Sequence, residues 1–388
     1  MSRGGSQAGC IVLCATGLCV AQTQAAEWQA TPSAYVGSSY ADNPRLLADG
    51  GTESSGTVGE FSADLKRSTE RSEFSLRPRV RSARYKEDES LDSDDQFVTG
   101  GYTWIGERSE WNSELSFTRD TTLTSELGST GLVQSNRRRE ATNLLVAPQV
   151  MFTERVRGGA QLSLSRARYI DAESTGLVDY RYESLSLFST VALSDAGSSL
   201  SLTAQGGELS TQGFPGTGTR DATLRLSWTY HPWQLWTVGL SAGPSWVETN
   251  AGSDQDWVFD ADIKRQGDRW WLTASGGRTQ SPTGRGVLAR RDEVELSLHR
   301  RLTERLTGNI GARWIRSQDS VPQLGAVTTY EVDYGRVELG ASWRWSRDWS
   351  LALQLAGQTQ EYEIGSSARA EGYRAVLSIV WNGQPQSL

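Results

Sequence analysis

The sequence predicts an all-β protein, a transmembrane up-and-down antiparallel β-barrel of about 18 strands, with about 16 as the alternative count. Three observations predict it. Apolar and polar residues alternate with period two from Pro32 to Trp381, short polar turns recur through that region, and no later segment has the long apolar run of a membrane helix. The mean hydropathy of −0.48 agrees with a barrel, since only alternate residues of its strands face lipid.

The N-terminus has the order of a secretory signal peptide. Arg3 is followed by the apolar stretch Cys10 to Ala21 and then by AQTQAAEW, with cleavage expected after Ala25 or Ala26. A stretch of about 12 residues is too short to span a bilayer as a helix. We therefore predict a signal peptide over residues 1–26 and a barrel over residues 27–388. All three cysteines lie in the signal, so the mature chain is expected to use neither disulfides nor thiolate chemistry.

Two hairpins show the alternation most clearly. Before the turn at His231 and Pro232, one face of the strand carries Ala222, Leu224, Leu226, Trp228 and Tyr230, and after it the apolar face carries Trp236, Val238, Leu240 and Ala242. The second hairpin brackets Ser346-Arg347-Asp348 in the same way. Such alternation is typical of strands with one lipid-facing side and one wet side.

Short polar turns are expected near residues 70, 108, 154, 196, 232, 267, 303 and 347. Longer Gly/Ser/Thr/Asp-rich connections, such as 120–138, 206–220 and 276–292, alternate with them. Eight turns make sixteen strands in hairpins, and one strand around Pro32–Tyr40 and one at Tyr373–Trp381 bring the total to eighteen. Short periplasmic turns and longer outer loops are the pattern of bacterial outer-membrane barrels.

Aromatic residues cluster near both predicted strand ends, which favours two membrane-interface belts. Those expected at the periplasmic interface are Trp104, Trp111, Trp233, Trp236, Trp270, Trp271, Trp345, Trp349 and Trp381. Those expected near the opposite ends are Tyr35, Tyr169, Tyr180, Trp246, Trp257, Trp314, Tyr330 and Tyr362.

Charged residues on the predicted inward faces are candidates for lining a pore. Arg77, Arg79 and Arg81 share one strand face opposite Leu76, Pro78 and Val80. Further candidates are Arg225, Arg313, Arg336, Arg344, Arg374, Asp64, Glu114, Asp260, Asp262 and Glu338. Lumen charges select solutes by their field, and they equally stiffen a wall by pairing across strands. Both interpretations remain open at this point, and the first favours anionic solutes or acidic glycans.

The sequence favours a protein that is not an enzyme and that needs no cofactor. Its two histidines, His231 and His299, fall at or near predicted periplasmic turns, and no metal-ligand spacing appears. One weak metal candidate is the acidic loop Glu87, Asp88, Glu89, Asp92, Asp94 and Asp95, since carboxylates bind hard cations and bridge lipopolysaccharide through them. A solvated, mutually repelling loop is the simpler interpretation.

The overall charge argues against nucleic acid as a partner, because the chain carries a net charge of −7. The expected partners are outer-membrane lipid and lipopolysaccharide, the barrel-assembly machinery, and a polysaccharide or small hydrophilic solutes. The alternating terminal strand Tyr373, Ala375, Leu377, Ile379 and Trp381 resembles the strand that this machinery recognises. It is followed by a polar tail, Asn382–Leu388.

The mature N-terminus, from Glu27-Trp28 through Pro32-Ser33 to SYADNPRL at residues 39–46, resembles the opening of a family of outer-membrane barrels encoded near exopolysaccharide or exosortase systems. Its near-motif is the Tyr-x-Asp-Asn element of Tyr40, Asp42 and Asn43. The strings SRDWSLAL and GDRWWLTAS are similar in character. The resemblance implies a porin-like barrel of a Gram-negative outer membrane and transfers no catalytic residues.

Three functions follow from this reading. The first is a porin-like pore for small hydrophilic solutes, since a barrel of about 18 strands encloses an aqueous channel. The second is a conduit for exported exopolysaccharide, which the resemblance implies. The third is a structural or adhesive surface barrel plugged by its own loops.

Overall fold

The structure is a computed structural model that describes residues 27–129, 136–171, 175–193, 197–212, 218–249, 252–323, 326–363 and 367–387. The predicted signal peptide, residues 1–26, lies outside the described residues. The strands are β1 Glu27–Ala41, β2 Ser54–Ser68, β3 Ser72–Tyr85, β4 Ser93–Ile105, β5 Ser109–Thr121, β6 Arg138–Met151, β7 Val156–Ile170, β8 Tyr180–Ala192, β9 Ser199–Thr211, β10 Thr219–Tyr230, β11 Trp236–Thr249, β12 Gly252–Gln266, β13 Trp270–Pro282, β14 Leu288–Arg301, β15 Leu306–Gln323, β16 Ala326–Arg344, β17 Trp349–Glu363, β18 Ser367–Asn382 and the short β19 Gln386–Ser387.

These strands form one closed antiparallel barrel. Each long strand pairs with its neighbours in the chain, and β1 pairs with β2 on one side and with β18 on the other. The β1–β18 register runs from Ser33 opposite Asn382 to Ala41 opposite Arg374. Closure leaves no unpaired sheet edge, and it confirms the predicted barrel class with eighteen strands rather than sixteen.

The predicted short turns lie together at one end of the barrel. Seven fall between described strands, and the turn expected near residue 196 includes residues 194–196, outside the described part. Three of these turns contain the same tripeptide, Thr-Glu-Arg, at 69–71, 153–155 and 303–305. In each, the threonine hydroxyl accepts a hydrogen bond from the backbone N–H three residues later, at 2.9–3.0 Å. A hydroxyl that bonds its own backbone in this way stabilises a tight turn.

The connections at the other end differ from the predicted lengths. The connection at 120–138 holds one helix, α1 Thr122–Ser129. The other two are shorter than expected, because β9 extends to Thr211, β10 begins at Thr219, β13 extends to Pro282 and β14 begins at Leu288. These strands are longer than expected because their pairing continues into segments rich in Gly and Thr, which the sequence pattern had assigned to the loops. Among the described residues, no helix is long and apolar enough to cross a membrane.

The two faces of the barrel differ in chemistry. Large apolar side chains alternate along every long strand on the exterior face, where Val36 is 62% exposed, Leu115 53% and Val337 54%. Their neighbours in sequence are mostly small or polar and face the interior. An apolar exterior around a polar interior is the reverse of a soluble protein and fits a barrel surrounded by lipid.

Most of the tryptophans predicted to form the belts lie on the exterior face of the barrel, and several of the other predicted belt residues lie on the interior face. At the turn end, Trp104 lies opposite Trp111 on the exterior, and Trp345 stacks on Trp349 with ring centroids 6.3 Å apart. The prediction for Trp271 was different: it was expected at the exterior interface, but it lies opposite His299 on the interior face. Trp270 and Trp271 are consecutive, so only one of them can face lipid.

At the loop end, Trp246, Trp257 and Trp314 face outward as expected. The tyrosines expected beside them lie instead on the interior face; they are Tyr35, Tyr169, Tyr180, Tyr330 and Tyr362. Nearness to a strand end does not determine which side a residue faces, because the register alone decides that.

Candidate pore interior and its loops

All thirteen charged residues predicted to face the lumen lie on interior positions of the register. They are Arg77, Arg79, Arg81, Arg225, Arg313, Arg336, Arg344, Arg374, Asp64, Glu114, Asp260, Asp262 and Glu338. The reason is the strict alternation of each strand, since their sequence neighbours include the exterior residues Val80, Leu115, Leu226 and Val337.

Several of these charges form ion pairs, either within one strand or with a carboxylate on a neighbouring strand. Arg77 contacts Asp64, Arg336 contacts Glu338, and Arg79 lies 3.8 Å from Glu60. Arg313 donates from Nε to Glu293 at 2.6 Å. This supports the wall-stiffening interpretation for part of the set, because paired charges contribute little net field to a lumen.

Other interior arginines form no ion pair with a described carboxylate, although Glu60 and Asp95 lie directly opposite Arg81 in the register. The buried Nε of Arg81 has no hydrogen-bond acceptor there, and Arg225 and Arg374 form no ion pair with a described residue. An unpartnered guanidinium keeps its full positive charge and its donors available. The interior therefore contains both neutralised and free cationic positions.

The β1–β2 loop (residues 42–53) is attached to the barrel wall. Asn43 donates from Nδ2 to the carbonyl of Glu371 at 3.0 Å, and it also bonds Leu47 in both directions. The carboxylate of Asp42 accepts a bond from the N–H of Tyr373 at 2.5 Å. Gly372, between these two β18 residues, has no side chain, and a Cβ there would lie 2.8 Å from the Asn43 carbonyl oxygen. The Tyr-x-Asp-Asn element is thus what holds this loop to β18.

Leu46 extends this attachment into an apolar cluster inside the barrel. It is 2% exposed and packs with Ile315 of β15, Tyr334 of β16 and Ala370 of β18, which are all interior residues. Leu123 of α1 packs against the same cluster. Since α1 follows β5, and β5 lies on nearly the opposite side of the ring from β15, α1 reaches across the barrel interior to this cluster.

A second contact joins other loops across the same end. The N–H of Val178, in the β7–β8 connection, donates to the carbonyl of Gly284, in the β13–β14 connection, at 2.8 Å. Arg285 binds Asp319 at 3.1 Å, and its guanidinium lies 3.9 Å from the ring centre of Tyr330. Both sets of contacts narrow the loop end of the barrel.

The acidic loop does not form a cation cage. Asp88 pairs with Arg45, and Asp94 bonds Ser82 and Arg84 at 2.7 Å each. Glu87 accepts the N–H of Ser55, and Asp92 accepts the N–H of Tyr85. Asp95 faces the interior and is 1% exposed, and the Glu89 carboxylate forms no ion pair with a described residue. Among the described residues, no group of three or more His, Cys, Asp or Glu is placed to bind a metal ion.

Glu87 and Asp88, the two carboxyl groups that lie between β3 and the short helical turn that begins at Glu89, have shifted pKa values. Burial by itself would raise the pKa of Asp88, but hydrogen bonds from Ser90 and Arg45 outweigh it and lower the pKa below its ordinary value. The backbone N–H of Ser55 lowers the pKa of Glu87. Both carboxylates are therefore held in their charged form by contacts within and between loops.

Sequence reasoning missed the residues that close the loop end, namely Leu46, Leu123, Ile315 and Tyr334. Ile315 and Tyr334 do carry a signal, because they are large side chains on interior strand faces that are mostly small or polar. Leu46 and Leu47 are adjacent apolar residues in a loop, which is unusual for a solvated connection. Neither signal identifies the partner, since that depends on how the loops fold.

One serine–histidine contact lies near the turn end. Ser297 Oγ is 3.0 Å from His299 Nε2, and the His299 ring stacks on Trp271 with centroids 5.1 Å apart. Nucleophilic catalysis also needs a group that orients the imidazole. Here the ring is oriented by stacking, and we assign the pair no catalytic role.

Comparison with known proteins gives similarity of architecture alone. No family model matches the sequence, and no curated protein is similar to it. Among solved structures, OccK2 (OpdF) of Pseudomonas aeruginosa has a TM-score of 0.48 and 11% identity, covering 92% of this chain and 98% of that one. The siderophore receptor PirA of Pseudomonas aeruginosa has a TM-score of 0.43 and 11% identity, covering 91% and 80%. The FrpB iron transporter of Neisseria meningitidis has a TM-score of 0.45 and 9% identity, covering 92% and 81%.

Proposed function

We propose that this chain is a porin-like pore of a Gram-negative outer membrane that passes small hydrophilic solutes. The observation that carries the proposal is the inversion of faces in a closed barrel of eighteen strands, apolar outside and charged inside. Barrels of about 16 to 18 strands are wide enough to enclose an aqueous channel. Residues 1–26 are proposed to direct the chain to that membrane.

The loops set the width of the pore. The β1–β2 loop and α1 meet at the Leu46 cluster, and the β7–β8 and β13–β14 connections meet at Val178 and Gly284. Solutes crossing the loop end pass between these two contacts and then along the interior arginines. Because Arg81, Arg225 and Arg374 form no ion pair with any residue that the structure describes, their charges add a field along this path that favours anions.

A structural or adhesive barrel plugged by its loops is the second candidate, and the Leu46 cluster favours it. Apolar packing across a lumen is how a loop would close a pore. The two candidates differ in their conductance. Purified protein in planar lipid bilayers is expected to give steady single-channel currents if it is a pore and none above background if it is a plugged barrel.

A variant separates a closed pore from a barrel that never conducts. Replacing residues 44–51 with a Gly-Ser segment of equal length removes Leu46 while keeping the attachment at Asp42 and Asn43. We expect larger currents than those of the unmodified protein. If neither protein conducts, the pore proposal is rejected.

A conduit for exported exopolysaccharide would have the same architecture as the proposed pore and differ from it only in its solute. The sequence resemblance and the interior arginines support it, since the arginine fork matches the carboxylates of acidic glycans. Oligomers of a uronic acid added to one side of the bilayer are expected to block the current transiently, whereas neutral oligomers of equal length are not. Equal blocking by both would remove the support for an acidic glycan.

A further inference from the structure

The exterior surface above the apolar band is strongly cationic in one sector, β5–β8. Five arginines project outward there against two glutamates; they are Arg119, Arg138, Arg166, Arg168 and Arg181, with Glu140 and Glu183. Their outward direction follows from the register, because the same strand faces carry Phe117, Leu162 and Leu185, which are 38%, 39% and 51% exposed. On β7 the first of these arginines, Arg166, is the next exterior residue after Leu164 in the direction of the loop end.

The arrangement of these arginines is unfavourable without a ligand. Arg166 lies directly opposite Arg181 in the β7–β8 ladder. Like charges at directly opposite positions destabilise a sheet. Arg181 contacts Glu183, and Arg119 lies 3.5 Å from Glu140, so both local carboxylates are already engaged. Arg166 and Arg168 form no ion pair with any residue that the structure describes, and both side chains are exposed.

The exterior sector of β15–β18, at the same level, lacks this excess of positive charge. On β15–β18, Arg316 and Arg369 face Glu331, Asp333, Glu361 and Glu371. Arg316 contacts both Glu331 and Asp333, and Arg369 contacts Glu371 at 2.7 Å. The cationic sector is therefore a local property of β5–β8 and not a uniform ring.

We infer that the β5–β8 sector binds the phosphorylated headgroup of an outer-leaflet lipid, the lipid A part of lipopolysaccharide. A guanidinium fork binds phosphate through two parallel hydrogen bonds. A phosphate between Arg166 and Arg181 would remove their repulsion, and Arg168 lies one exterior position further along the same strand. The acyl chains of the same lipid would lie on the apolar side chains below. This binding surface is on the exterior and is independent of whether the lumen conducts.

The test measures lipid A binding to purified protein in detergent micelles. The main variant is Arg166→Gln/Arg168→Gln. The matched control is Arg155→Gln/Arg347→Gln, which removes the same charge from two turns at the opposite end of the barrel. Binding is followed by the shift of the thermal unfolding midpoint as lipid is titrated. Each protein is first checked for folding by its heat-dependent mobility on gels.

We expect the Arg166→Gln/Arg168→Gln variant to bind bisphosphorylated lipid A about fivefold or more weakly, the scale of losing two exposed charge contacts. The control is expected to bind as the unmodified protein does. Equal weakening of both variants would show a net-charge effect and overturn the site. So would unchanged binding by the main variant.

Two further probes identify the source of the phosphate. Dephosphorylated lipid A is expected to bind the unmodified protein no better than it binds the main variant. Inorganic phosphate at millimolar concentration is expected to leave the midpoint unshifted. If dephosphorylated lipid A binds as tightly as the phosphorylated form, or if inorganic phosphate alone stabilises the protein as lipid A does, the assignment to a lipid headgroup is wrong. Should the Gln variant fail to fold, Arg166→Lys/Arg168→Lys tests the loss of the planar fork with the charge kept, and unchanged affinity would again overturn the site.

Discussion

Arg45 donates two hydrogen bonds from Nη2 to the carboxylate of Asp88, at 3.0 and 3.3 Å, and so joins the β1–β2 loop to the β3–β4 loop. Arg45 immediately precedes Leu46, whose side chain is buried in the interior cluster. The ion pair thus fixes the backbone of the β1–β2 loop immediately before Leu46, the residue that packs in the barrel interior. The position of the β1–β2 loop and the burial of Leu46 are therefore coupled at these two consecutive residues.

Removing the acidic partner is expected to free the β1–β2 loop. Asp88→Asn keeps the size of the side chain and removes its charge, so the half-buried ion pair is lost at a cost of about 1 kcal/mol. We expect trypsin to cleave after Arg45 up to about fivefold faster than in the unmodified protein. Asp49→Asn, an exposed change in the same loop, is the control. Equal cleavage rates in all three proteins would contradict a role for the pair.

Acid is expected to loosen the same loops. The folded-state pKa of Asp88 lies below its ordinary value of 3.8, so its contribution is present above that value and is lost as the pH falls through the lowered pKa. The lowered pKa of Glu87 acts in the same direction. Single-channel conductance is expected to be constant between neutral pH and about pH 5, and to rise below about pH 4. Asp88→Asn should conduct at neutral pH as the unmodified protein does in acid; a conductance that falls on acidification in both proteins would contradict this.

Shortening the buried leucine is expected to open the pore more than shortening its neighbour. Leu46→Ala removes apolar contacts with Ile315 and Tyr334, and a buried Leu-to-Ala change costs about 2–5 kcal/mol. That loss shifts the loop from docked to undocked by more than about tenfold. Leu47→Ala is the matched control, since Leu47 is 38% exposed. Bilayer recordings that show the same conductance for both variants would indicate that the cluster does not limit the current.

The interior arginines are expected to differ in their effect on ion selectivity. Arg77 is neutralised by Asp64, whereas Arg81 has no partner at its Nε among the described residues. Arg81→Ser should lower the ratio of anion to cation permeability by up to about fivefold, since a charge a few ångströms from the path in water contributes about 1 kcal/mol. Arg77→Ser should change it less. Reversal potentials in a salt gradient measure both, and a larger shift for Arg77→Ser would reject this assignment.

The lipid-facing side of the barrel can be tested with two adjacent residues. Leu353 faces outward midway between Trp349 and Gly357, and Gln354 faces the interior. An arginine on the lipid face near the bilayer midplane costs about 2–4 kcal/mol. Leu353→Arg should lower the free energy of unfolding in lipid vesicles by that amount, and Gln354→Arg by less than about 1 kcal/mol. The reverse order would invert the assignment of the two faces.

Much of the architecture was predictable because it is local. The alternation that places Leu353 outside and Gln354 inside can be recognised from adjacent residues. The turns can be recognised in the same way, as short polar strings such as Thr-Glu-Arg. The interior position of Arg77, Arg79 and Arg81 follows from the same two-residue period. Trp271 shows the limit of local patterns, since its position near a strand end predicts a place in the belt but the register directs it to the interior.

The barrel class, a count of about eighteen strands and the charged character of the interior were predictable from the residues, because a two-residue period and turn chemistry act between adjacent residues. Only the tertiary structure decided which arginines are neutralised, which connections narrow the loop end, and that Arg166 lies opposite Arg181. These depend on register and on contacts between segments far apart in the chain. Leu46 and Tyr334 are separated by 288 positions and meet only when the ring of strands has closed.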